Sequence, residues 1–310
     1  MSYNGSVSGP LMVRADSVGL RAGAGPVRAV SESPGVPVDF ADAVPAARDS
    51  DLVARGRADS PGAPALIAVA HGSRDPRSAA TMAAVVSGVA HRNPGLDVRL
   101  AFLDLSTPSV EQVIDAVAAQ GHRDVIVVPL LLGSAFHARV DLPGLLAAAR
   151  SRHPRLRLVQ ADVLGPDPLL ITALRERVLA TDADRTDDTL GVAVAAVGSS
   201  SAEANRRTRA LGRLLTADTA WRAEVCFATT EPSLPQAIST LRAQGCTRVV
   251  VAPWFLAPGL LTDRLGAAAP HVIHADPLGS HGLVAEVVTR RYATAVREIR
   301  ARRDTDIAVA

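Results

Sequence analysis

Short apolar runs alternate with amphipathic stretches from residue 65 to near the C-terminus. The runs at 65–70, 97–102, 124–129 and 156–160 are largely apolar, as expected of strands covered on both faces. The stretches between and after them, 76–91, 109–120, 141–151 and 167–180, carry helical periodicity. The same order returns further on, with strands near 190–196, 222–227, 247–252 and 271–274 and helices near 202–216, 233–244, 260–267 and 280–302. Alternation of strand and helix predicts parallel sheets with right-handed crossovers. The reading is an α/β protein of two tandem halves, each a four-stranded parallel sheet flanked by helices. The polar stretch TDADRTDD (181–188) is the natural link between halves over 63–183 and 189–300, with 301–310 as a tail. Residues 1–62, rich in Gly, Pro, Ser, Ala and Asp and without lasting periodicity, read as a disordered extension.

The two halves share sequence as well as pattern. ALIAVAH (65–71) followed by Gly72-Ser73 aligns with GVAVAAV (191–197) followed by Gly198-Ser199, at an offset of 126. GHRDVIVVPLLL (121–132) aligns with GCTRVVVAPWFL (245–256) at an offset of 124. At these offsets His71 faces Val197 and His137 faces Leu261. The first half is thus expected to carry chemistry and the second to be scaffold.

Composition removes several classes of function. The 310 residues contain 33 basic side chains, all of them arginine, so lysine-based Schiff bases and phosphate-loop lysines are excluded. A net charge of +2 gives no reason to expect nucleic acid as a partner. No run of about 18 apolar residues predicts a membrane span, and no basic start followed by an apolar core predicts a secretory signal. Two cysteines without a CxxC pair fit a reducing cytoplasm and argue against thiolate-bound clusters.

The candidate chemistry lies at strand exits. In open parallel sheets, ligands bind beyond the carboxyl ends of the strands. His71 ends the first strand, and the following Gly72-Ser73-Arg74 suits close approach of an anion. Asp104 follows the second strand in AFLDLSTPS, and His137 follows the third in GSAFHARVD. Taken singly, each histidine also fits a strand cap or a surface loop. Two histidines and a carboxylate leaving neighbouring strands make a metal or proton-transfer cluster. Arg74, Arg77 and Arg139 flank this edge and suit a ligand bearing carboxylates. The second half offers Glu231-Pro232-Ser233 in the stretch comparable to Asp104, at a shifted spacing.

The ordered set AVAHGSRDPRS, AFLDLSTPS and GHRDVIVVPLLLGSAFHARVDLP resembles the class II chelatases of the sirohydrochlorin type, the CbiX and SirB proteins, in their long tandem form. The resemblance spans about 65–300. It implies a lyase that inserts a divalent metal into sirohydrochlorin, a tetrapyrrole with eight carboxylates, lying in the cleft between the halves. Fe²⁺, for siroheme, is the first choice of metal, Co²⁺, for cobalamin, the next, and Ni²⁺ a third; each is a substrate, with no cofactor permanently bound. It further implies His71 and His137 as metal ligands and Asp104 in place of the glutamate common in the family. Ser73, Arg74, Ser134 and Arg139 are the candidates for holding the ring. A non-catalytic tetrapyrrole or metal carrier of the same fold is the alternative. A phosphate-handling enzyme using the His71-Gly72-Ser73-Arg74 turn is a third reading, one that assigns no role to His137.

Overall fold

The computed structural model describes residues 63–133 and 140–309, so the expected extension over 1–62 lies outside the described residues. The first half runs β1 (Ala65–Ala70), α1 (Pro76–Arg92), β2 (Val98–Phe102), α2 (Val110–Ala119), β3 (Asp124–Pro129), α3 (Leu142–Arg152), β4 (Arg157–Gln160) and α4 (Pro168–Leu179). The second runs β5 (Leu190–Ala196), α5 (Ala202–Thr216), β6 (Arg222–Phe227), α6 (Leu234–Ala243), β7 (Arg248–Pro253), α7 (Leu260–Ala268), β8 (Ile273–His274) and α8 (Gly282–Val309). The strand orders are β2-β1-β3-β4 and β6-β5-β7-β8, and every pairing is parallel. The expected α/β tandem of two four-stranded sheets is therefore the fold.

Two elements depart from their expected bounds. A hydrogen-bonded turn, Val272 N–H to the Ala269 carbonyl at 3.2 Å, takes up 271–272 and leaves β8 two residues long. Residues 297–309 contain neither glycine nor proline, so α8 continues to Val309 through the stretch read as a tail.

The central strands explain the uninterrupted apolar runs. Every residue of β1 and of β5 is buried. One face of β1 (Leu66, Ala68, Ala70) shares a single core with Leu190, Val192 and Val194 of β5 and with α1, α4, α5 and α8. The other face packs under α2 and α3, as the outer face of β5 packs under α6 and α7.

Within the shared core the last helix of each half crosses to the other. α4 packs on α5 and β7, and α8 packs on α1 and β3. The exchange is reciprocal down to single hydrogen bonds. Arg177 of α4 donates to the Leu278 carbonyl at 3.1 Å, and Arg291 of α8 donates to the Leu164 carbonyl at 2.9 Å. The two acceptors occupy matching places in Ala161-Asp162-Val163-Leu164-Gly165 and Ala275-Asp276-Pro277-Leu278-Gly279. Each exchanged helix also pairs through its N-terminal cap. Asp167 accepts from Leu169 N–H at 3.0 Å and from Arg291 at 3.1 Å. His281 accepts from Leu283 N–H at 3.2 Å and faces Glu176 at 2.9 Å.

Candidate functional site

The strand order β2-β1-β3 sets three exits side by side at one edge, with that of β1 in the middle. His71 leaves β1 and is exposed. Its backbone is fixed by the neighbouring exit: Leu103 N–H donates to the Ala70 carbonyl at 2.9 Å and Asp104 N–H to the His71 carbonyl at 3.0 Å. The chain then turns at Gly72, where φ is +97°. A Cβ at this position would lie 1.7 Å from the Asp104 carbonyl oxygen. Glycine is therefore required both for the left-handed backbone and for the close packing of the two exit loops.

Asp104 is exposed, and its Oδ1 accepts from Leu105 N–H at 2.7 Å. Ser106 closes the junction. Its hydroxyl donates to the Ser73 carbonyl at 3.0 Å and accepts from Ser73 N–H at 3.1 Å. The His71 and Asp104 loops are thus clasped through one hydroxyl. The Ser73 hydroxyl itself accepts from Asp75 N–H at 3.0 Å, so part of its capacity goes to building the loop. Arg74 is exposed.

Arg77 differs from the expectation that it would face a ligand. Its guanidinium spans two carboxylates, Asp75 (2.5 Å) on its own loop and Asp263 (2.6 Å) on α7 of the second half. These bonds, that to Asp75 foremost, hold its proton more tightly than usual, with little effect on charge near neutrality.

The loop from β3 to α3 carries the remaining candidates. Ser134, His137 and Arg139 lie outside the described residues. The loop leaves from beside β1, because Leu130 N–H donates to the Val69 carbonyl at 2.7 Å. Among the described residues, no three His, Cys, Asp or Glu side chains form a group able to hold a metal ion.

The second half serves as an internal comparison. Gly198 has φ of +94°, and Thr229 N–H donates to the Val197 carbonyl at 3.1 Å. Thr229, and not the Glu231 stretch, therefore stands where Asp104 stands. Ser199, the counterpart of Ser73, is clasped by the Asn205 carboxamide instead: Ser199 N–H donates to Asn205 at 2.9 Å, and Asn205 donates to the Ser199 carbonyl at 2.7 Å. The pairing of His137 with Leu261 does not hold. The turns at His153–Leu156 and Ala269–Val272 are equivalent by their hydrogen bonds. The first half therefore spends 130–141 between β3 and α3 where the second spends only 254–259 between β7 and α7. Leu261 lies within α7, so its counterpart falls in α3, and the connection whose sequence includes His137 is six residues longer than that of the second half.

The CbiX family model matches residues 65–181 and again 191–295. The chain belongs to the CbiX family. The sirohydrochlorin ferrochelatase of Priestia megaterium is 28% identical over 242 residues, covering 74% of this chain and 90% of that protein. The sirohydrochlorin cobaltochelatase of the same organism is 29% identical over 209 residues, covering 64% of this chain and 66% of that one. Among solved structures, SirB from Bacillus subtilis with Fe³⁺ superposes with a TM-score of 0.66 at 24% identity, over 76% of this chain and 97% of that one. The two matches within this CbiX chain correspond to its two sheets, so the repeat visible in the strands is a repeat of the family's unit.

The residue passed over by sequence reasoning is Ser106. Its signal is faint: the loop after β2 is one residue longer than the loop after β6, and that residue makes room for a serine facing Ser73.

Proposed function

We propose that this protein is a sirohydrochlorin chelatase that inserts a divalent metal into the tetrapyrrole, Fe²⁺ first and Co²⁺ next. The observation that carries the reading is the first sheet edge. An exposed histidine leaves the middle strand, clasped to the loop of an exposed aspartate on one side and flanked on the other by the exit of β3, whose continuing sequence includes His137. Membership of the CbiX family and the names of the chelatase relatives support the same chemistry.

The metal ion is a substrate here. Through the unprotonated nitrogens of their imidazoles, His71 and His137 would hold it with coordination positions left open to the ring nitrogens. Insertion forms metal–nitrogen bonds and releases two protons from the ring N–H groups. Asp104 and the imidazoles, once they give up the metal, are the local bases that accept them. Two imidazoles and one carboxylate bind more weakly than a closed four-ligand cage, which suits a site that must release its metal. Ring carboxylates would meet Arg74 and Arg139, with Ser73 and Ser134 at the strand exits. The first half carries the reaction and the second forms the other wall of the cleft. Among the described residues no helix is long and apolar enough to cross a membrane, and both cysteines are free and buried; a cytoplasmic site of action fits these facts.

The test is anaerobic metal insertion by purified protein supplied with sirohydrochlorin and Fe²⁺, Co²⁺ or Ni²⁺, followed by the shift of the visible absorption band. Acceleration over the uncatalysed rate is expected, with the preferred metal giving the highest rate. His71→Ala and His137→Ala are each expected to abolish it. Binding of ring and metal without acceleration by any divalent ion would overturn the enzyme reading in favour of a carrier. Full activity in His137→Ala would remove the two-histidine site.

A further inference from the structure

The opposite edge of the first sheet carries a feature that metal insertion does not use. A cleft of about 530 Å³ opens at the amino ends of β3 and β4, lined by Arg123, Arg150, Arg155 and Arg157 with one carboxylate, Asp124, among the described residues. The six residues of β3 separate this edge from the strand exits by about 20 Å. We infer that the cleft is a second binding site, for a small multivalent oxyanion bearing phosphate or carboxylate groups.

Three observations carry it. The first is charge. Arg157 lies 3.6 Å from Asp124, and Arg150 gives one N–H to the Leu158 carbonyl at 2.9 Å. Arg123 and Arg155 are exposed and make no ion pair among the described residues. Four guanidinium groups around one carboxylate leave an excess of positive charge, which favours an anion. Their planar forks match oxyanions in two-point contacts.

The second is the internal comparison. Strand register makes Thr247 the counterpart of Arg123. The matching turns make His271 the counterpart of Arg155 and Gly266 that of Arg150. Arg248, at the corresponding edge, stands in the place of Asp124 and is spent on the Thr181 and Asp182 carbonyls. The fold therefore does not need arginines at these places, and only one copy has gathered them. The third is position. Arg150 lies in the last turn of α3, where the helix dipole favours a cation; Arg123 and Arg155 lie outside the helix, so that effect does not account for them.

The experiment is calorimetric titration of the full chain with pyrophosphate and, separately, with citrate, at low and at high salt. Saturable binding of one anion per chain is expected, weakening as salt rises. The double variant Arg123→Thr with Arg155→His installs the second half's own residues and should bind about tenfold to a hundredfold more weakly. If that variant melts early, Arg123→Gln with Arg155→Gln, which keeps long side chains, takes its place. His71→Ala should bind as the wild type does, which separates this site from the metal-insertion edge and from the fate of that reading. Preference for pyrophosphate assigns a phosphate ligand and preference for citrate a polycarboxylate. Failure of both anions to bind saturably, or equal affinity in the arginine variants, overturns the inference.

Discussion

At the exit of β1, the N–H groups of Leu103 and Asp104 donate to the carbonyls of Ala70 and His71, and the chain turns at Gly72 with φ of +97°. At the exit of β5, Ala228 and Thr229 donate to Ala196 and Val197, and the turn at Gly198 has φ of +94°. The backbone is the same, while the side chains it presents are His and Asp in one case and Val and Thr in the other. Even the clasp on the next serine is kept, although its donor has changed from the Ser106 hydroxyl to the Asn205 carboxamide. The comparison separates what the fold requires from what the chemistry requires. Glycine and the carbonyl pairing hold the loop in both halves, whereas the imidazole, the carboxylate and the longer connection between β3 and α3 occur in one only. The strand exits of the second half therefore give a background against which each proposed functional residue can be judged.

The largest expected effect follows directly from that contrast. His71→Ala should lower the insertion rate by roughly a hundredfold or more, as losses of metal-binding and proton-transfer groups do, while Val197→Ala should leave it unchanged. Adding Val197→His to His71→Ala should restore nothing, because Thr229 supplies no carboxylate and the second half has only the shorter connection between β7 and α7. Rescue in a visible-band assay would mean that the two edges are interchangeable, and would sink the asymmetry.

The glycines sharpen the comparison next. At Gly72 an added Cβ would lie 1.7 Å from a backbone oxygen, and at Gly198 it would lie 2.9 Å from the Thr229 hydroxyl and the Thr230 methyl. Side chains can yield where backbone cannot. Gly72→Ala is expected to cost about 3 kcal/mol or more and Gly198→Ala about 1–2 kcal/mol, the latter set mainly by the left-handed φ. Urea unfolding of the two variants side by side checks this, and equal losses would show that the tight contact between the His71 and Asp104 loops relaxes freely.

A smaller difference is expected between the exchanged helices. Arg291 serves two carbonyls, of Val163 and Leu164, and the buried carboxylate of Asp167. Among the described residues, Arg177 serves the Leu278 carbonyl at 3.1 Å and lies 3.9 Å from Asp276, and its Nε is buried without a hydrogen-bond partner. Arg291→Ala, which strands a buried carboxylate, should cost about 2–3 kcal/mol. Arg177→Ala should cost about 1 kcal/mol or less, since it also removes an unsatisfied donor. If thermal unfolding ranks them the other way, the two crossings are not equivalent supports of the shared core.

Much of this was legible in the chain. Continuous apolar runs revealed both buried sheets, and the aligned strand exits located His71 and Asp104 on one edge. Helix exchange was not legible. The apolar residues of α4 and α8 show that each helix is buried, but not which sheet it covers; only the echo of Ala161-Asp162 and Leu164-Gly165 in Ala275-Asp276 and Leu278-Gly279 hints at a reciprocal contact. The site was misjudged where spacing was trusted across a gap. A constant offset matched His137 with Leu261, whereas hydrogen-bonded turns at 153–156 and 269–272 show that the connection between β3 and α3 is the longer one. Arg77 looked like an anion ligand because sequence cannot reveal a carboxylate arriving from the other half, and Asp263 does so.

The smallest expected effect concerns pH and again sets one half against the other. Asp115 on α2 accepts from His153 at 2.6 Å and lies 3.3 Å from Arg152. The hydrogen bond to His153, then that to Arg152, holds its carboxyl below the usual carboxylate range, against a partial desolvation that pushes it up. The cap alignment of α2 with α6 makes Ser239 its counterpart, and the turn alignment makes Ala269 that of His153, so the second half has no such pair. A lowered folded-state value means that stabilisation is present above the unfolded carboxyl value of about 3.9 and is lost as pH falls through the folded value. Because Asp115 is half exposed, solvent screening keeps the contribution to about 0.5 kcal/mol or less. Asp115→Ser, which copies the second half, should therefore lower the urea midpoint slightly at about pH 6 and converge on the wild type at about pH 2. A gap that stays constant across that range would mean that Asp115 acts through helix propensity, with no electrostatic difference between the halves at this place.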